Sequence, residues 1–282
     1  MSNVRQVKKL VTGHATVDGA GVRLVRVLGH DDVVNFDPFL MLDAFDSTNP
    51  SDYTKGFPWH PHRGIETVTY LVSGRIEHGD SLGNSGVIGD GDCQWMTAGS
   101  GIIHQEMPKA SPRMLGVQLW LNLPAKDKMC APHYNGIEQA DIPVVAEDGA
   151  RVRVISGMYR GTQGATQGSY VQTLYLDVQM EAGAVWQAET DSQGTLFVYV
   201  MAGAGAFGDP AEKVAQRHAA LFGEGDTLRV TAGEQGLHFL LLCARPLREP
   251  IAWGGPIVMN TQEELRLAFR ELDEGTFIKH DV

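Results

Sequence analysis

Cysteine is scarce in this chain: three residues, Cys93, Cys130 and Cys243, in 282. They are far apart, odd in number and without C-x-x-C spacing. That excludes a disulfide framework or a zinc ribbon and makes a reducing cytoplasm the expected setting. Positive charge is also in deficit, with 23 Lys and Arg against 34 Asp and Glu and a net charge of −11. A direct, phosphate-driven grip on DNA or RNA is therefore not expected, whereas a protein partner remains open. Long apolar runs are missing: no stretch approaches the roughly 20 residues that cross a bilayer. The N-terminus, MSNVRQVKKLVTGHATVDG, has basic residues but no apolar segment behind them. Neither a membrane span nor a secretory signal is expected.

Glycine, by contrast, is abundant, with 33 residues. It punctuates short apolar, β-branched runs such as GVRLVRVLG, ETVTYLVSG, RVRVISG, YVQTLYLDVQM, TLFVYVMAG and HFLLLCA. Each reads as a strand bounded by turn residues, and strands at this spacing predict an all-β barrel or sandwich. One segment departs from the pattern. Thr261 as N-cap, acidic residues in the first turn, Leu265, Ala268, Phe269 and Leu272 on one face, and Gly275 at the end predict a helix of about three turns. The length suits two domains of roughly 100–150 residues each.

The layout repeats. Gly89-Asp-Gly-Asp92 precedes Thr97-Ala-Gly99 and then His104; Gly223-Glu-Gly-Asp226 precedes Thr231-Ala-Gly233 and then His238 at the same spacing. Upstream, TVTYLVSGRI from Thr67 pairs with TLFVYVMAGAG from Thr195. The halves read as two copies of one β unit, with the boundary near residues 135–150 where strand periodicity breaks.

His60-Pro-His62 places two imidazoles on one face of an extended strand, because alternate residues of a strand face the same way. Pro61 between them donates no ladder hydrogen bond, which fits an edge strand or strand end near a barrel mouth. His104-Gln-Glu106 repeats the arrangement. Two such pairs on neighbouring strands converge on one point and supply three nitrogens and a carboxylate. That set suits one divalent ion, Fe(II) first, with Mn, Ni, Cu or Co as substitutes. Four protein ligands in an octahedron leave two positions open, as in catalytic rather than closed structural sites.

At these residues the chain resembles known proteins. Gly56–Gly74 and Gly91–Glu106 resemble the two cupin motifs. FDPFLMLDAF (36–45), FPWHPHRGIETVTYL (57–71), QWMTAGSGIIHQEM (94–107), QLWLNLP (118–124) and GPIVMNTQEEL (255–265) resemble the pirin family over most of the chain. The resemblance implies an all-β chain of two tandem cupin (jelly-roll β-barrel) domains with a C-terminal helix. The expected division is 1–140, an N-terminal metal-binding barrel, and 141–282, a C-terminal barrel with a degenerate site and the helix. It implies iron in the N-terminal barrel, on His60, His62, His104 and Glu106. The general cupin pattern would use Glu66, which is kept here as a candidate behind the ligands. In the second half Glu189, Asp191 and His238 stand in register with the histidines, and Leu240 replaces the carboxylate. A metal-free second barrel is expected.

Asp43, Phe57 and Trp59 are candidates for the pocket wall. His14, His78 and His133 read as surface residues. Cys93 reads as a buried, inert thiol. Gly203-Ala-Gly205-Ala-Phe-Gly208 matches a dinucleotide motif but lacks a βαβ setting and reads as a hairpin. G-x-S-x-G is absent around Ser100, so a serine hydrolase is not supported.

Two functions follow from the resemblance. One is a quercetin 2,3-dioxygenase-like enzyme that cleaves a flavonol with dioxygen and loss of carbon monoxide; Glu106, the only anionic ligand, is then the candidate catalytic base. The other is a metal- and redox-dependent regulator that binds a transcription factor or a metabolic enzyme. A monomer is expected, since tandem barrels can cover each other's sheet edges.

Overall fold

The computed structural model describes residues 3–280. Antiparallel strands dominate, with a twelve-residue helix, Gln262–Asp273, near the C-terminus. Among the described residues no helix is long and apolar enough to cross a membrane. The chain forms two compact units.

One unit gathers residues 14–33, 39–139 and 247–282. Its larger sheet has the spatial order His133–Ile137, Cys93–Thr97, Ile65–Ser73, Met114–Asn122, Phe39–Ser47, Val22–Leu28, His14–Asp18. Its smaller sheet runs Phe57–His62, Ile102–Pro108, Ile76–Asp80, Ser85–Ile88. The Thr69 hydroxyl of the first donates to Glu106 of the second at 3.0 Å, so the inner faces meet. This is a jelly roll. Sequence dictates the layering directly. Met114–Asn122 is apolar or uncharged throughout and buried at every position. Ile102–Pro108 alternates buried with half-buried residues, the period of a strand with one inward face.

The helix forms where its caps place it. The Thr261 hydroxyl accepts from Glu264 N, and the Glu264 carboxylate accepts from Thr261 N. Leu265 and Ala268 are buried, and with Phe277 they pack on Ala252, Ile257 and Met259; Phe269 stays 39% exposed. The tail is clasped by Arg63, which is 1% exposed. Its guanidinium donates to Ser100 O at 2.6 Å and Phe277 O at 2.8 Å and pairs with Glu271 at 2.7 Å. Lys128 Nζ donates to Val258 O and Gly64 O, each at 2.8 Å. Gly64 has φ +76°, and a Cβ there would strike Val258 O. The tail thus belongs to this unit and not, as expected, to the second barrel.

The other unit takes the stretch ending at Gly13, residues 34–38 and residues 140–246. Its sheet runs Val7–Thr12, His218–Phe222, Thr195–Phe207, Thr227–Ala244, Thr173–Met180, Ala150–Ser156, Val144–Glu147, with Val185–Glu189 on Thr227–Ala244 and Glu212–Ala215 on Thr195–Phe207. The two compact units thus group the ends of the chain differently from a single cut at 140/141. The strand Val7–Thr12 pairs with His218–Phe222 and covers that edge.

Both units share one topology, but the equivalence differs from the sequence repeat. By pairing, His218–Phe222 takes the part of Cys93–Thr97, each lying against the strand that begins at Thr195 or Ile65. Thr227 onward takes the part of Ile102–Pro108, because it pairs with Val185–Glu189 as Ile102–Pro108 pairs with Phe57–His62. The Gly-Asp-Gly-Asp and Gly-Glu-Gly-Asp turns therefore lie one strand apart in the fold, and His238 is not the counterpart of His104. In the second unit the inward positions of that strand pair carry Trp186, Ala188, Leu228 and Val230, all in one apolar core. Glu189 points out. Asp191 pairs with Arg245 at 2.6 Å, and His238 Nε2 meets Asp177 Oδ1 at 2.6 Å. These three residues do not converge.

Replacing Arg63 by Met should cost about 3 kcal/mol, since it strands two buried carbonyls and removes one partner of a buried ion pair. Urea unfolding reads this as a lower midpoint at unchanged slope; a loss below about 1 kcal/mol would show that the tail docks without the clasp.

Candidate metal centre

Phe57–His62 is an edge strand, antiparallel to Ile102–Pro108, with His60 opposite His104 and His62 opposite Ile102. The register brings together His60, His62 and His104, whose ligating nitrogens lie within 4.8 Å of one another. Ring centroids are 4.9 Å apart for His60 and His62, 4.3 Å for His60 and His104, and 5.1 Å for His62 and His104.

Two of the three rings are held by backbone carbonyls. His60 Nδ1 lies 2.8 Å from Pro58 O, and His62 Nδ1 lies 3.0 Å from Pro256 O. A carbonyl only accepts, so Nδ1 carries the proton and Nε2 keeps its lone pair. His104 is fully buried, and neither of its nitrogens has a hydrogen-bond partner. Burial pushes all three pKa values down: His62 falls from 6.5 to about 3, with the His60 ring adding to the effect. His104 falls well below 6.5 through burial and then through its neighbours His62, His60 and His78. His60 falls mainly through burial, opposed by its bond to Pro58. The imidazoles are therefore neutral at pH 7, the form that binds metal. An orphaned buried imidazole between two rings of fixed tautomer is the donor set of a single divalent ion, and the residues fit one.

Glu106 sits two residues beyond His104 on the same inward face, outside the tight histidine group. It is 6% exposed, and burial raises its pKa to about 7 against the Thr69 hydrogen bond. Thr69 Oγ1 also reaches Gln118 Oε1 at 2.5 Å. Glu66 turns away. Thr69 faces Glu106, so in a regular strand Thr67 faces inward and Glu66 faces outward, where it accepts from Thr97 at 2.7 Å. It does not stand behind the ligands.

Above the histidines lies a cavity of about 420 Å³, the size of a site for a drug-sized molecule. Phe45, Phe57, Trp120 and Trp253 form its apolar wall; His60, His62 and Glu106 form its polar end. Asp43 lines it, bound by Arg26 Nε at 2.9 Å and Nη2 at 2.8 Å. Arg26 also pairs with Asp18 at 2.7 Å. Phe57 lines it as expected. Trp59 does not: it is 55% exposed, because neighbours in a strand point oppositely and His60 points in. His14 and His133 are exposed, but His78 is 4% exposed; the alternation of Ile76, His78 and Asp80 carries that signal. Burial pushes the Cys93 thiol pKa up, which keeps it inert. Arg26 and Trp253 were not legible as site residues, and Pro256 stood only inside the matched segment 255–265. Gln118 and Trp120 stood only inside a matched motif.

Two jelly rolls in one chain, one with three neutral histidines at the foot of a cavity and one with an apolar interior in their place, define a bicupin. Two family models match accordingly, Pirin over residues 21–121 and the Pirin C-terminal cupin domain over residues 175–278. The chain belongs to the pirin family. It is 48% identical to a pirin-like protein of Caulobacter vibrioides over 97% of this chain and 99% of the other, and 39% identical to pirin of Homo sapiens over 98% and 96%. A crystal structure of quercetin 2,3-dioxygenase from Acinetobacter baumannii superposes with a TM-score of 0.88 at 33% identity, covering 97% of this chain and 98% of that one.

The shifts set opposite pH dependences in metal-free protein. His62 has a folded pKa below its unfolded one, so its contribution is present above pH 6.5 and is lost as pH falls toward 3. Glu106 has a raised folded pKa, so its contribution is present below 4.5 and is lost as pH rises through 7. Unfolding midpoints against pH should flatten on the acid side in His62→Gln and on the neutral side in Glu106→Gln. Curves parallel to wild type would contradict the assignment.

Proposed function

We propose that the chain is a metal-dependent dioxygenase acting on a flavonol such as quercetin, with His60, His62, His104 and Glu106 holding one divalent ion, Fe(II) in the first place. The reading rests on one observation: His60, His62 and His104 cluster at the foot of a cavity with aromatic walls, and two of them, His60 and His62, line it together with the Glu106 carboxyl. Similarity to the Acinetobacter baumannii quercetin 2,3-dioxygenase supports it. Bound there, the ion supplies Lewis acidity toward the oxygens of a substrate.

The chain's own residues do the rest. Phe45, Phe57, Trp120 and Trp253 offer flat faces to a planar polyphenol and exclude water around it. Asp43 and Gln118 present acceptors to ring hydroxyls. Glu106, the carboxylate at the polar end of the cavity, takes the proton of the 3-hydroxyl at a carboxylate oxygen. Thr69 donates to that carboxylate and fixes its orientation.

Iron-loaded protein under oxygen should consume quercetin in proportion to its metal content. Glu106→Gln should lower turnover on the order of 100-fold while losing less metal than turnover; equal losses would end the base role. His60→Ala should lose metal and turnover together. Full metal occupancy with no turnover on several flavonols would overturn the enzyme reading in favour of the regulatory one.

A further inference from the structure

His78 belongs to neither the cavity wall nor the histidine cluster, yet it is buried beside both. It lies on Ile76–Asp80, which pairs with Ile102–Pro108 so that His78 stands opposite Glu106 and Asp80 opposite His104. Its side chain shares the inward face with Ile76 and Asp80. The ring stacks on Tyr134 at 4.8 Å and 18°, which fixes its plane, and lies 5.6 Å from the His104 ring. At 4% exposure, both of its nitrogens lack a hydrogen-bond partner. Burial of two such nitrogens without partners costs too much to be idle.

His104 has the complementary need. His60 and His62 are oriented by Pro58 O and Pro256 O, but nothing holds the second nitrogen of His104. Metal-binding imidazoles are oriented by what their other nitrogen meets. The rings around His104 are His60, His62 and His78. The first two belong to the cluster, which leaves His78. An imidazole–imidazole hydrogen bond places centroids about 5 Å apart, so an approach of about half an ångström from the observed 5.6 Å closes it.

We propose that His78 is the positioning residue of His104: it holds the distal nitrogen of His104 by a hydrogen bond and so fixes the tautomer and direction of that ring. The inference rests on the metal-centre reading for its consequence, but the tautomer itself is a property of the metal-free chain.

The test has two arms. Nitrogen-15 NMR of the metal-free protein reads the His104 tautomer; a single tautomer that becomes a mixture in His78→Phe supports the proposal. A His104 tautomer unchanged by His78→Phe overturns it. In the second arm cobalt(II) alone is titrated into wild type, His78→Phe and His78→Gln, following bound ion and its visible absorption. His78→Phe, which keeps the stack on Tyr134, should bind 10–100-fold more weakly with an altered band, and His78→Gln, which restores a hydrogen-bonding side chain, should recover most of the loss. Equal affinity and spectrum in wild type and both variants overturn the role of His78 alone. Failure of wild type to take up cobalt(II) overturns the metal centre, and the NMR arm then decides His78 by itself. Should His78→Phe not fold, His78→Leu, which also lacks a hydrogen-bonding group, gives the same comparison in both arms.

Discussion

Three imidazoles must stay neutral and aim their lone pairs at one point inside a barrel. Much of the first unit follows from that constraint. Burial keeps them neutral, but burial alone leaves the rings free to turn. Two are stopped by carbonyls that accept a hydrogen bond from Nδ1–H: Pro58, two residues before His60, and Pro256, far along the chain from His62. The second carbonyl exists only when the C-terminal tail is docked. The docked tail is held by the Arg63 clasp and by the capped helix that buries Leu265 and Ala268. A local requirement of one ring thus reaches across the unit, and Arg63, next to His62 in sequence, is the residue that ties the two together.

The second unit shows what the same topology becomes without that constraint. Its equivalent strand pair turns Trp186, Ala188, Leu228 and Val230 inward and packs them with Phe239 and Phe207. Apolar side chains in these places gain burial free energy that the polar interior of the first unit forgoes. In the first unit Thr67, Gln94, His78 and His104 all carry buried nitrogens or oxygens without a partner. A fold that tolerates both interiors does not by itself confer chemistry; the side chains on four inward positions do.

The H-x-H and H-x-E pairs were legible because strand alternation is a strictly local rule, and so was the helix, whose cap and hydrophobic face lie within one short segment. The same rule, applied one residue further, would have turned Trp59 outward and His78 inward. The repeat misled for a different reason. Gly-Asp-Gly-Asp and Gly-Glu-Gly-Asp are turn sequences, and a turn states that the chain reverses, not which strand it leaves. Only pairing partners distinguish a turn before Cys93–Thr97 from one after His218–Phe222.

Taken alone, the sequence determined the strand content, the capped helix, the two-barrel class and the pairs that place His60 with His62 and His104 with Glu106, all set by period and by short-range chemistry. Tertiary structure decided which barrel receives the tail and the first strand, how Pro256 meets His62, and how Arg26 joins Asp43 on the cavity wall. The tail, the first strand and Pro256 meet partners separated from them by long stretches of chain, and Arg26 meets Asp43 only through the register of neighbouring strands. The energies of these contacts depend on docking geometry that no local pattern encodes.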